Sequence, residues 1–245
     1  MAEPIGFHIT MRVEGDRDLA DTKESRRLFS RTLLRACRPF ALLASNWVDT
    51  HGHLLTMGSR ADAGEAVRRA QIALQLAMAP GAPFERARFT PIRDASHLRN
   101  VFRSILGQAE HHGVQGDRFR DASNGPDLIG ARVVGVWTAV NVRRYLRRVQ
   151  REHILEAMGL PDPEGVAPAI VDLRDAAAAV VAAATLDGRS PDLLAARVAA
   201  VAVAGADAAR LLGLPPRTLH RLRAAPADPA IVRAIRQQLA MRAIW

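Results

Sequence analysis

Phe7, Ile9, Met11 and Val13 alternate with His8, Thr10 and Arg12. A period of two places successive side chains on opposite faces of a strand, so this stretch belongs in a sheet with one apolar face. The rest of the chain must supply its partner strands. Asp21 to Glu24 has the look of a capping box opening a helix near 22–37, which Pro39 closes. Phe40 to Val48 is apolar enough for a second strand. A turn at Asp49-Thr50 leads into His51-Gly-His-Leu-Leu-Thr-Met57, a third. Asp62 to Glu65 resembles a second capping box for a helix running to about Met78, broken by Pro80-Gly-Ala-Pro83. Phe84 to Arg93 holds a fourth strand. Asp94 or Ser96 caps a third helix over about 96–110, stopped by Gly113. The order β-α-β-β-α-β-α over residues 1–112 suits a small antiparallel sheet with helices on one face, an α+β sandwich.

Beyond Gly130 the pattern is helical throughout. Gly159 to Pro168, Gly188 to Pro191, Gly205 and Pro215-Pro216 divide it, and Ala176 to Ala184 is alanine-rich. The expected organisation is an α+β domain over 1–115, a helical extension and linker over 116–168, and an all-α region over 169–245.

The 245-residue chain is 49% hydrophobic and 24% charged, which supports a real core and excludes a disordered tail or a disulfide miniprotein. Cys37 is the only cysteine, so no internal disulfide forms. No run approaches the roughly 20 apolar residues of a membrane span, and the polar N-terminus is unlike a signal peptide, so the expectation is a cytoplasmic protein without membrane partners. The formal charge is +9, and every basic residue except Lys23 is arginine. Arginine's planar fork suits phosphate, which makes nucleic acid the leading partner class and a nucleoid-associated location the expectation. A merely solvated basic surface is the bland alternative.

His51 and His53 are two apart on a strand, hence on one face. Side by side they can bind one divalent metal, or simply be polar residues on a solvated face. On the third helix the apolar stripe is Leu98, Val101, Phe102, Ile105 and Ala109. Beside it lie His97, Ser104, Gln108 and His111. Ser104 and Gln108 are neighbours one turn apart. That polar stripe matters only if this helix crosses the His51/His53 face.

These stretches, in this order, resemble the HUH single-tyrosine transposases, in particular the REP-associated tyrosine transposase branch. FHITMR at 7–12 is similar to that family's opening strand and ESRRLFSRTLLRA at 24–36 to its first helix. NWVDTHGHLLTM at 46–57 resembles its histidine segment, and the stretch at 88–114 its catalytic helix. Residues 121–154 resemble, more weakly, the helical extension of many members. The resemblance implies a ferredoxin- or RRM-like antiparallel sheet, with two histidines and an Asn or Gln holding Mg²⁺ or Mn²⁺. A tyrosine one turn before that amide attacks the scissile phosphate of single-stranded DNA. The metal offsets charge developing on phosphate, and the phenolate splits strand transfer into two steps. Carried over, the ligands are His51, His53 and Gln108.

Two departures stand out. The residue between the histidines, usually bulky and apolar, is Gly52, which implies looser packing under the site and a freer backbone. The tyrosine position is Ser104, whose hydroxyl is shorter and much less acidic. The single tyrosine, Tyr145, sits in VRRYLRRVQ, where packing explains it better than chemistry. Either the chain is a domesticated descendant that binds DNA without phosphotyrosine chemistry, or a metal-activated water does the cutting with His97 or His111 as base.

ADAARLLGLPPRTLHRLR, residues 206–223, reads as a short helix, a turn at Gly213-Leu214 and a second helix at Pro215/Pro216, the layout of a helix-turn-helix. Ala209, Leu212, Leu219 and Leu222 are the expected core. Arg217, Thr218, His220, Arg221 and Arg223 are the candidates for duplex DNA, the first two for base edges and Arg221 and Arg223 for phosphates. Arg12, on the opening strand, is a further DNA-contacting candidate. The leading expectation is thus a protein binding single-stranded or hairpin DNA at the sheet and duplex DNA at its C-terminal end. A metal-dependent endonuclease or transposase is the second, and a helical oligomerisation or partner-binding protein the third; the resemblance allows a homodimer.

Overall fold

The computed structural model describes residues 3–112 and 117–244, without the side chain of Ala109. Gly113, expected to stop the third helix, and the Ala109 side chain lie outside the described residues. The chain forms two compact units, residues 1–129 with 135–160, and residues 130–134 with 161–245.

In the first unit, strands β1 (Gly6–Arg12), β2 (Ala41–Val48), β3 (His51–Met57) and β4 (Arg88–Ile92) make one antiparallel sheet of order β2-β3-β1-β4. With helices α1 (Lys23–Cys37) and α2 (Arg60–Met78) between the strands, this is the split β-α-β-β-α-β arrangement. Pro91 lies in β4, an edge strand, where a missing N–H is tolerated.

Both capping boxes lie off their expected places. In α1 the Ser25 N–H donates to Thr22 Oγ1 at 3.1 Å and the Thr22 N–H to Ser25 Oγ at 2.9 Å. In α2 Ser59 and Asp62 exchange the same bonds, each at 3.1 Å. A cap forms wherever a short side chain reaches the N–H three residues on. Thr22 and Ser59 meet that condition.

Helices cover both faces of the sheet, not one as expected. Trp47 of β2 meets Phe29 of α1, their ring centroids 5.4 Å apart. Its neighbour Asn46 points the opposite way and donates through Nδ2 to the Ile105 carbonyl at 3.0 Å, in α3 (Ala95–Leu106). The α1/α2 side is filled by Ile9, Met11, Leu33, Leu34, Leu54 and Leu74, all fully buried. On the other side Leu98, Phe102 and Ile105 of α3 pack down. Asp94 caps α3, accepting the His97 N–H at 2.8 Å. The long helix expected to reach residue 110 breaks at Gly107, and a one-turn helix α4 (Gln108–His111) comes next.

Residues 117–124 run along the open edge of β2. Asn124 Oδ1 accepts the Ser45 N–H at 2.8 Å, and its Nδ2 donates to the Leu43 carbonyl at 3.1 Å, so that edge is hydrogen-bonded rather than bare. The fully buried Arg27 of α1 donates to Asp121 at 3.0 Å. Helices α5 (Gly125–Leu128), α6 (Val136–Tyr145) and α7 (Arg151–Met158) complete the unit. α6 packs on β2 and α7 on α3.

The second unit is helical: α8 (Leu173–Val180), α9 (Pro191–Ala204), α10 (Ala208–Leu212), α11 (Pro216–Ala224) and α12 (Pro229–Ala243). The alanines of α8 and α9 form much of its core, with Ile235 and Leu239 of α12. Gly213 ends α10 in the left-handed conformation at φ 61°, and Pro216 opens α11, as the glycine and proline placement implies. Leu212, Leu219 and Leu222 are buried as expected. Ala208 takes the core position expected of Ala209, which is exposed. Among the described residues no helix is long and apolar enough to cross a membrane.

Candidate functional site

The register of the sheet builds the site. On one face His53 lies between Asn46 of β2 and Thr10 of β1, with Arg88 of β4 beyond. In the next row His51 lies between Val48 and Arg12. The face is the one α3 crosses, because Asn46 reaches Ile105 from it.

The two imidazoles stand edge to face with centroids 4.7 Å apart. They belong to a longer row. His8 Nε2 lies 3.0 Å from His53 Nδ1. On the other side the His112 ring is 5.4 Å from that of His51, and His112 Nδ1 pairs with Asp49 Oδ2 at 3.0 Å. The His111 ring is in turn 5.4 Å from that of His112.

His53 is only 8% exposed, and its Nε2 has no hydrogen-bond partner among the described residues; neither does the buried Nδ1 of His51. If His8 donates to His53, the His53 proton sits on Nε2 with no acceptor. If His53 donates to His8, Nε2 presents a bare lone pair. Either way a buried polar atom is left unsatisfied, which costs free energy unless something binds there. Burial first, then neighbouring His8, His51, His112 and Arg12, push the His53 pKa down to about 3. Burial also lowers His51, helped by Arg12 and His112 and opposed by Asp49 and Asp16. His8 is lowered by burial and by His97. Neutral imidazoles are the form that ligates metal. The donor chemistry therefore fits a divalent ion held by His51 Nδ1 and His53 Nε2. Among the described residues no group of three His, Cys, Asp or Glu side chains is placed to hold an ion; the resemblance implies an amide as the third ligand.

Gln108, the expected amide, opens α4 and is half-buried. Its Nε2 donates to Ser104 Oγ at 3.4 Å, and no hydrogen bond joins it to either histidine. Ser104 is exposed near the end of α3. Tyr145, the last residue of α6, is half-buried under the Arg144 guanidinium, 5.2 Å from its centroid.

Gly52 departs from the expectation of loose packing. A β-carbon there would lie 2.5 Å from Trp47 Cε3, so the indole fills the space that a bulky residue 52 would take. The support under the histidines comes from the neighbouring strand.

Arg12 is half-exposed, pairs with Asp16 at 3.4 Å, and lines a cleft of about 260 Å³ with Thr10, Glu85, Arg86 and Arg88. In the second unit Arg217, His220, Arg221 and Arg223 are exposed and Thr218 is half-buried. Arg223 donates to the Gly205 carbonyl at 3.0 Å.

His8, Asp49, His112, Arg86 and Arg88 join the site without having been singled out by sequence pattern. The alternation of β1 already put His8 on its polar face, but only the strand register brings it to His53. Compared with protein-family models, with curated proteins and with solved structures, the chain matches none.

Proposed function

We propose that this chain is a DNA-binding protein related to the REP-associated tyrosine transposases, with the phosphotyrosine nucleophile lost. The sheet face takes single-stranded or hairpin DNA, and α10 with α11 forms a helix-turn-helix that takes duplex DNA. The observation that carries the reading is the pair of partnerless nitrogens, His51 Nδ1 and His53 Nε2, on a face that also bears Arg12 and Arg88. A Mg²⁺ or Mn²⁺ ion held there, with Gln108 as amide ligand, supplies positive charge to a backbone phosphate, and the arginines add to it. Ser104 is exposed where the resembled family has its tyrosine, so the metal serves binding rather than covalent strand transfer. Exposed Arg217, Arg221 and Arg223 support the duplex arm. The test is titration of a hairpin oligonucleotide, with and without Mn²⁺, against the protein and His51→Ala/His53→Ala. The reading expects Mn²⁺ to tighten binding only in the unsubstituted protein; equal affinity in all four cases contradicts it.

A second reading is a metal-dependent endonuclease using water. It is favoured by the His112–Asp49 pair beside His51, a carboxylate-oriented imidazole suited to general base work. Nicking of hairpin DNA in Mn²⁺, lost in His112→Ala, would establish it.

A further inference from the structure

We infer a second anion site, distinct from the histidine face, between α3 and the segment entering α7, and assign it to a phosphate ester. Arg99 and Arg103 lie one turn apart on α3 and line a cavity of about 220 Å³. Arg148 and His153 line it from the α7 side, with Asn100 adding an amide. The fully buried Phe102 and the half-buried Val149 give it apolar wall.

Its chemistry is one-sided. Among the described residues no carboxylate lines it. Glu156 reaches Arg103 at 3.4 Å, but both side chains are more than half exposed and the pair is weak. Arg99 and Arg148 are exposed, with no side-chain hydrogen bond among the described residues. His153 Nδ1 accepts the Gln150 N–H at 3.1 Å, which fixes the proton of the neutral ring on Nε2 and makes that atom a donor. Three arginines and a histidine lining one cavity can recognise a group with several anionic oxygens. The volume falls below the roughly 300–1,000 Å³ of sites for drug-sized ligands, so it takes a phosphate and part of its sugar, not a whole nucleotide. The site uses none of the histidines above and stands or falls without them.

The experiment is thermal melting of the full chain in inorganic phosphate against chloride at equal ionic strength. The protein is expected to melt several degrees higher in phosphate. Arg99→Gln/Arg148→Gln is expected to melt with it in chloride and to lose the phosphate increment. An equal increment in both proteins, or none in the unsubstituted one, overturns the site. If the double variant is weakened in chloride, Arg148→Gln alone carries the same comparison. His51→Ala/His53→Ala must keep the increment, which separates this site from the histidine reading. Phenyl phosphate and a short single-stranded oligonucleotide, competed against phosphate, then identify the source: displacement by the oligonucleotide points to a DNA backbone, displacement by phenyl phosphate alone to a small phosphorylated metabolite, and displacement by neither overturns the assignment to an ester.

Discussion

The indole of Trp47 stands where a side chain on Gly52 would have to go: an added β-carbon would come within 2.5 Å of Cε3. The ring cannot swing away cheaply, because Nε1 donates to the Asp49 carbonyl at 2.9 Å and to Asp18 Oδ1 at 3.1 Å. Gly52→Ala should therefore cost about 1–3 kcal/mol, the usual range for overpacking. Trp47→Phe, which shortens the ring, should make the same glycine substitution milder. A double-mutant cycle on urea midpoints checks the coupling; additive effects would mean that the two residues do not share that space.

Arg27 and Asp121 form an ion pair with both side chains nearly inaccessible to water. Ser30 Oγ donates to the Asp121 carbonyl at 2.6 Å, tying α1 again to the segment that covers β2. Arg27→Met strands a buried carboxylate and should destabilise by about 3–5 kcal/mol. Chemical denaturation measures it, and a loss well under ~1 kcal/mol would show that water reaches the pair.

Much of this fold was legible. The turn at Asp49-Thr50 and the strand His51–Met57 follow from local pattern alone, as does the glycine and proline punctuation of α10 and α11. The covering of both sheet faces was not. Leu42 to Val48 is buried at every position, but its sequence, with Ser45 and Asn46 in it, reads only as apolar enough for a strand, and what covers its second face is a tertiary property. The break at Gly107 was harder, because a glycine inside a helical pattern is often tolerated. His8 and His112 could not be assigned to the site, since their approach depends on strand register and on where α4 ends, which are long-range properties. The partnerless nitrogens of His51 and His53 are likewise tertiary facts; spacing shows only that the rings share a face.

Acid should weaken the metal-free protein through His53. Its pKa in the folded chain, about 3, lies below the ordinary 6.5, so unfolded chains take up the proton first. The stability that goes with the neutral ring is full above about pH 6.5 and is lost progressively as pH falls toward 3. Burial also lowers His8 and His51, which adds to the slope. Melts in a chelating buffer from neutral to acid pH should show a falling Tm, and His53→Asn should flatten it. A profile identical in both proteins would remove His53 from the account.

Gln108 is the candidate whose role is most separable from folding, because its side chain is half-buried and, among the described residues, bonds only to the exposed Ser104. If its amide completes the metal site, Gln108→Ala should lower Mn²⁺ affinity by roughly an order of magnitude, with a Tm in chelator within about 1 °C of the parent. Calorimetric titration reads this directly. An unchanged affinity would leave the ion to the histidines and solvent.

The most direct measurement is the affinity for hairpin DNA, in Mn²⁺, across a salt series. Counterion release makes log K fall with log salt by about 0.7 for each single-strand phosphate neutralised. The predicted result is a steep decline, with His51→Ala/His53→Ala weaker at every salt concentration. A flat salt response, or a double variant that binds as the parent does, would contradict the claim that this sheet face holds DNA.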